Sequence, residues 1–95
     1  MGRAARSKPA RLAEKLKQIR EKMDLSQGEL VIRLRLEESS VNRGAISNYE
    51  LGRKEPSLPV LLRYARLANV IVDVLIDDEM DLPQQIPYQG KTRRI

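Results

Sequence analysis

The chain has 95 residues, enough for one compact domain with short extensions, and its 18 Lys and Arg against 13 Asp and Glu give a formal net charge of +5. This balance favours a polyanionic partner but leaves DNA, RNA and a membrane surface open. The sequence has no Cys and no His, which removes disulfides, the usual zinc ligands and the commonest general base, so we expect no enzyme, no cofactor and no metal site.

The first residues of the chain are small and basic. Residues 1–9 end at Pro9 and predict a flexible arm whose positive charges are Arg3, Arg6 and Lys8. No signal-peptide stretch follows them, and no apolar run approaches the roughly 18 residues of a membrane span. We therefore expect a cytoplasmic protein with no membrane partner.

Two helices are predicted in the first part of the chain. Apolar residues recur at the spacing of one helix face between positions 10 and 23, which predicts helix 1. These residues are Leu12, Leu16 and Ile19. Ser26 and Glu29 have the spacing of a capping box, in which each side chain satisfies a backbone N–H of the first turn. Helix 2 is therefore predicted to begin at Ser26.

A third, short helix follows a segment without periodicity. Residues 37–42 show no helical pattern, whereas Arg43 to Leu51 places Ile46 and Tyr49 on one side. Gly52 comes directly afterwards and is a favourable C-terminal stop. Helix 3 is predicted over residues 43–51.

Helix 4 is predicted from its cap and its apolar stripe. Ser57 is a suitable N-cap, and Pro59 is tolerated in the first turn. The predicted stripe consists of Leu58, Leu61, Leu62, Ala65 and Ala68. Residues 72–76 predict one further helical turn, although the apolar segment 71–76 on its own is also compatible with a β-strand.

The last part of the chain is predicted to be a tail over residues 78–95. Pro83, Pro87 and Gly90 break any regular pattern, so the tail is either disordered or laid against a partner. An acidic patch stands at its start, formed by Asp77, Asp78, Glu79 and Asp81. The predicted organisation is an arm over 1–9, a domain over 10–77 and this tail.

Several stretches together carry a family resemblance. In chain order they are Leu25-Ser26-Gln27-x-Glu29-Leu30, Ile46-Ser47-x-Tyr49-Glu50-x-Gly52-x-x-x-Pro56-Ser57-Leu58, Leu61-Leu62, Ala65, Val70 and Leu75. The chain thereby resembles the XRE, or lambda-repressor-like (Cro-type), helix-turn-helix transcription regulators. The resemblance implies an all-α fold of five helices that binds DNA. Family members usually join helices 2 and 3 by a turn of about 3 to 4 residues, whereas residues 35–42 form a longer connection here.

The resemblance also implies which residues contact duplex DNA. Helix 3 would lie in the major groove and helix 2 would cross the phosphates. The implied base contacts are Arg43, Gly44, Ser47 and Asn48, because Arg can pair bidentately with guanine and Asn with adenine. The implied phosphate contacts are Gln27, Asn42, Arg53 and Lys54. Arg53 and Lys54 also fit a second interpretation, as cations that favour the helix 3 dipole.

Three further features stand beside these contacts. Arg20 and Glu50 match family positions that form an ion pair between helices 1 and 3. The arm residues Arg3, Arg6 and Lys8 either reach into the minor groove or are solvated. Finally, Ile71 and Val74 are apolar where the family has polar residues, so we expect their burial in a homodimer interface.

The function expected from this sequence is sequence-specific binding of double-stranded DNA by a transcription repressor or autoregulator associated with the nucleoid. An alternative is a protein-interaction adaptor or antitoxin-like protein that keeps the fold, reads little DNA sequence and binds a partner protein through its tail. The long connection, the apolar Ile71 and Val74 and the acidic patch motivate that alternative. Membrane-surface binding by helix 1 is a weaker interpretation, since its apolar stripe is needed for the core.

Overall fold

A computed structural model describes residues 9–34 and 41–86 of the chain. Within them the chain forms α1 (Leu12–Lys22), α2 (Gln27–Leu34), α3 (Arg43–Glu50), α4 (Leu58–Ala68) and α5 (Asp73–Ile76). The described residues contain no strand, so the prediction of an all-α, five-helix fold is confirmed and segment 71–76 contains a helical turn. The arm residues Arg3, Arg6 and Lys8 and most of the long connection, residues 35–40, lie outside the described residues.

The helices enclose one apolar core. Helix α3 packs against α1 and α2, while α4 packs against α2 and α5 against α1. The most deeply buried side chains include Leu16, Ile19, Leu30, Ile46 and Tyr64. The apolar stripe of α1 is therefore the core face of the helix, which removes the surface that membrane binding would need. No helix in the described ranges is long and apolar enough to cross a membrane.

Side chains cap the helices where the sequence predicts it. The Ser26 backbone N–H donates to Glu29 Oε1 over 2.8 Å, and the Glu29 N–H donates to Ser26 Oγ over 3.1 Å, which completes the capping box. The Val60 N–H donates to Ser57 Oγ at the start of α4 over 3.4 Å, with Pro59 in the first turn. These contacts satisfy backbone donors that a helix leaves unpaired at its N-terminus.

The predicted apolar stripe of α4 is wrong at two positions. Leu58 is 78% exposed and Leu62 is 42% exposed. The residues that α4 buries are Val60, Leu61, Tyr64, Ala65 and Ala68. Both sets follow helical spacing, and the apolar surface of α4 is wider than its buried face, so periodicity alone could not select between them. The Tyr64 hydroxyl is fully buried without a hydrogen bond among the described residues.

The start of the predicted tail packs against the helices of the same chain. Residues 77–86, which we call the C-terminal strap, lie against the core, with Met80, Leu82 and Ile86 half-buried. Lys15 of α1 is 1% exposed, and its ammonium group donates to three carbonyl oxygens. These belong to Val74 at 2.7 Å, Asp77 at 2.9 Å and Met80 at 2.7 Å. The prolines prevent a helix here but do not prevent packing, so residues 78–86 of the predicted tail lie against the helices of the same chain.

The acidic patch binds the N-terminal end of α1. The Asp78 carboxylate accepts the N–H of Ala10 at 2.8 Å and of Arg11 at 3.0 Å, and these two bonds lower its pKa. The Arg11 guanidinium donates to the Asp78 carbonyl oxygen at 2.7 Å and pairs with Asp81 at 2.7 Å. Burial lowers the pKa of Lys15, and Arg11 lowers it further. Two carboxylates of the patch are therefore used inside the chain.

Candidate nucleic-acid interface

The start of α3 is defined by an asparagine cap that sequence reasoning missed. Asn42 has an extended backbone, and its Oδ1 accepts the Ala45 N–H over 2.9 Å. A Cβ on Gly44 would stand 3.3 Å from this oxygen, closer than most side chains tolerate. Glycine at this position therefore leaves room for the cap. Asn42 was predicted as a phosphate contact, and its capping role was readable from its position directly before Arg43.

The two faces of α3 differ as the sequence predicts. Ile46 and Tyr49 are buried in the core. Of the four predicted base contacts, Arg43 and Gly44 are exposed, while Ser47 and Asn48 are half-buried. Positions 44, 47 and 48 share one helix face, because residues three and four apart are neighbours on a helix surface. The structure thus brings the four predicted base contacts onto the outward side of one short helix.

Arg43 also lies against the neighbouring helix. A Cβ added to Gly28, in the first turn of α2, would stand 3.6 Å from Arg43 Cδ. The aliphatic stem of Arg43 therefore passes over the backbone of α2, and the beginnings of the two helices are adjacent. An arginine stem supported in this way presents its guanidinium from a restricted set of positions.

An ion pair fixes α3 to α1. Arg20 Nε donates to Glu50 Oε2 at 2.7 Å and Arg20 Nη2 donates to Glu50 Oε1 at 3.1 Å, a bidentate arrangement. The side chains are only 15% and 4% exposed, and the bond to Glu50 is the main cause that raises the pKa of Arg20. The guanidinium also donates to the Leu25 carbonyl oxygen at 2.9 Å. The ion pair expected between helices 1 and 3 is present.

Gln27 joins the same network. Its Nε2 donates to Glu50 Oε1 over 3.2 Å, so one carboxylate connects the first residue of α2 with α1 and α3. Gln27 was predicted as a phosphate contact, and here its amide is oriented by Glu50. The carboxylate thus positions a residue of α2 as well as α3.

Gly52 terminates α3 as predicted. Its φ is +77°, in the left-handed region that glycine adopts without steric cost. The Gly52 N–H donates to the Tyr49 carbonyl oxygen at 3.2 Å, and the Arg53 N–H donates to that of Asn48 at 2.9 Å, which is the Schellman pattern. Arg53 and Lys54, two predicted phosphate contacts, are exposed immediately after this turn.

A shallow groove of about 260 Å³ runs beside α3. It is lined by Lys17, Arg20, Gln27, Ser47, Glu50 and Leu51. Lys17 and Leu51 are exposed, and neither was among the predicted contacts. Leu51 follows Ser47 by four positions, so its face was readable from the sequence, but its exposure was not.

The two residues predicted for a dimer interface have different environments. Val74 is 7% exposed and belongs to the core of its own chain, so the expectation that its burial needs a second surface is wrong. The reason is that α5 packs its first turn on α1. Ile71 is 60% exposed and borders a groove of about 440 Å³ whose other residues include Val70, Pro83 and Ile86.

The described part of the chain holds no group of His, Cys, Asp and Glu that could bind a metal.

Comparison with known proteins agrees with this architecture. Residues 11–78, well over half of the chain, match the model of a family described as helix-turn-helix domain. The fold is similar to that of the P22 c2 repressor protein, solved in complex with a synthetic operator, at 24% identity and a TM-score of 0.61. That match covers 72% of this chain and 96% of the repressor chain.

A second similar structure is the SOS-response transcriptional repressor LexA from Eubacterium rectale. The identity is 18% and the TM-score 0.65, with 98% of this chain and 95% of the other chain covered. The sequence matches no curated protein.

Proposed function

The chain belongs to the helix-turn-helix domain family, and from that premise we propose that it is a sequence-specific regulator that binds double-stranded DNA in the cytoplasm. The observation that carries the proposal is that α3 is fixed to the core by one face and exposes the other. Its inner face is buried, its N-terminal residues Arg43 and Gly44 are exposed, and a bidentate ion pair fixes its last turn. A helix presented in this way suits insertion of its first turns into the major groove, about 12 Å wide.

The proposed base contacts are Arg43, Gly44, Ser47 and Asn48. Arg43 would pair with guanine and Asn48 with adenine, while Gly44 permits close approach of the helix to the base edges. The proposed phosphate contacts are Gln27, Asn42, Arg53 and Lys54. The exposure of Arg53 and Lys54 next to the end of α3 supports their part in this set. The arm residues Arg3, Arg6 and Lys8 are proposed either to follow the minor groove or to remain solvated.

We propose that the regulator is a repressor or an autoregulator and binds as a homodimer to a two-fold symmetric site, with half-sites about 34 Å apart. The exposed Ile71 and its apolar groove support a dimer surface on the side of α5. The fold similarity to the P22 c2 repressor, solved on an operator, supports the repressor role. A partner protein on the tail, residues 78–95, would be a further control point.

The adaptor alternative has lost part of its motivation. Val74 is buried in the core, and two carboxylates of the acidic patch, Asp78 and Asp81, bind Arg11 and the start of α1. The long connection and the exposed Ile71 remain, and Ile71 fits a dimer as well as an adaptor. We therefore keep the adaptor as an outcome of the test below.

Selection of bound sequences from a random DNA library tests the proposal. A regulator of this kind enriches one motif, and a homodimer enriches two inverted half-sites. The affinity for that motif falls steeply as salt rises, because phosphate contacts release counterions, and stays well above non-specific binding at each salt concentration. If no motif is enriched and binding is weak and blind to sequence, the proposed function is wrong and the result favours the adaptor.

A further inference from the structure

Leu51 is an exposed apolar residue on the outward face of α3. It is the C-cap residue of the helix and is 60% exposed. It follows Gly44, Ser47 and Asn48 by seven, four and three positions, so it lies on the face of the proposed base contacts and not on that of Ile46 and Tyr49. The proposed reading face therefore ends in an aliphatic side chain.

The surroundings of Leu51 are polar. The groove that it borders is otherwise lined by Lys17, Arg20, Gln27, Ser47 and Glu50. Ile71 differs, because its groove contains Val70, Val74, Pro83 and Ile86. Docking surfaces for proteins have an apolar centre, and a single leucine among polar side chains does not provide one. Arg20 and Glu50 neutralise each other in this lining, which leaves the exposed Lys17 as its unbalanced charge. A polar rim with one such cation beside an apolar group fits a polyanion that carries an apolar feature of its own.

Leu51 lies close to the proposed reading turns of α3. It follows Gly44 by seven residues, which is about 10 Å along the helix axis at 1.5 Å per residue. When α3 lies along the major groove and does not enter it end-on, this separation places Leu51 about three base pairs beyond the bases that face Gly44. The only apolar feature of that groove is the 5-methyl group of thymine.

We infer that Leu51 is a specificity-determining residue that contacts the 5-methyl group of a thymine at the edge of the half-site. The inference rests on the proposed function and deepens it, because it adds an apolar contact to the polar contacts of Arg43 and Asn48. It assigns a preference for thymine at a base pair beyond those that the polar residues read.

Deoxyuridine provides the test, since it differs from thymidine only by the missing methyl group. Each thymidine of the selected site is replaced in turn, and the dissociation constants are measured for the wild-type chain and for Leu51→Ala. At one position the replacement weakens wild-type binding about fourfold, which is the ~0.8 kcal/mol of one buried methyl group. The same replacement has no effect on Leu51→Ala.

Leu58→Ala is the matched control, because Leu58 is also an exposed leucine of the chain. This variant keeps the full loss on deoxyuridine replacement. Circular dichroism confirms that both variants retain the helical fold. The inference is overturned if no thymidine position distinguishes wild type from Leu51→Ala, or if Leu51→Ala weakens binding equally to every sequence. That outcome leaves the proposed function intact, whereas failure to select any motif removes the proposed function itself.

Discussion

The two halves of α1 hold two different parts of the molecule by different chemistry. In the C-terminal half, Arg20 binds the Glu50 carboxylate of α3 through two side-chain hydrogen bonds. In the N-terminal half, Lys15 binds three backbone carbonyl oxygens of α5 and the strap. The first contact positions the proposed reading helix, and the second closes the chain over the opposite end of the same helix.

This difference teaches which contacts a sequence reveals. Arg20 and Glu50 could be paired from the sequence, thirty positions apart, because both match positions that form an ion pair in the family that the chain resembles. A carbonyl oxygen is present at every residue and has no signature in the sequence. The sequence therefore gives no sign that Lys15 is buried, although it is 1% exposed.

Loss of the ion pair has the largest expected effect. Arg20→Ala leaves the Glu50 carboxylate buried without its cation, so the free energy of unfolding falls by about 3–5 kcal/mol in urea denaturation. Binding to the selected DNA site also weakens, because α3 loses its orientation. Arg20→Lys keeps the charge and loses the bidentate geometry, so its effect is smaller in both assays. Arg63→Ala on the exposed surface of α4 is the control.

Loss of the buried ammonium group is expected to affect stability without affecting DNA reading. Lys15→Met removes the donor of three carbonyl oxygens, so the free energy of unfolding falls by about 2–3 kcal/mol. The strap becomes sensitive to limited proteolysis, while the folded variant binds the selected site with unchanged affinity. Lys17→Met, the same change at an exposed position of α1, leaves stability within about 0.5 kcal/mol. An equal loss of DNA affinity in Lys15→Met and Arg20→Ala would show that the two halves of α1 do not have the different roles described above.

The smallest expected effect is the pH dependence of the stability that Asp78 contributes at the start of α1. Hydrogen bonds from the Ala10 and Arg11 amides lower the pKa of Asp78 below its ordinary value of 3.8, so the carboxylate is more acidic in the folded state than in the unfolded state. Its stabilising effect is thus present above that value and disappears as the pH falls through the lower, folded pKa. Melting temperatures between about pH 7 and pH 3 fall more for the wild type than for Asp78→Asn. Parallel curves for the two proteins would show that Asp78 does not stabilise the start of α1.

The fold could be predicted from the sequence where particular residue types mark the start or the end of a helix. The Ser26–Glu29 capping box, Ser57 and Gly52 have side chains or backbone freedom that only certain residue types supply, and each is found in its expected role. The α4 stripe was wrong at Leu58 and Leu62, because more apolar residues lie on that helix than its neighbours can cover. The strap was missed because its anchors are main-chain atoms.

The candidate site was predictable to the same extent. Residue types and spacing place Arg43, Gly44, Ser47 and Asn48 on one face of α3. The link from Gln27 to Glu50 depends on how α2 meets α3, which the spacing does not determine. The cap by Asn42, in contrast, was readable from its position directly before Arg43. The exposure of Leu51 depends in the same way on how the helices are assembled.

The most direct test of base reading by α3 compares wild type with Asn48→Ala on every single-base variant of the selected half-site. The account predicts that Asn48→Ala loses about 1–3 kcal/mol of discrimination at one adenine-containing base pair and keeps the remaining preferences. An unchanged preference at every position would contradict the claim that the outward face of α3 reads the bases.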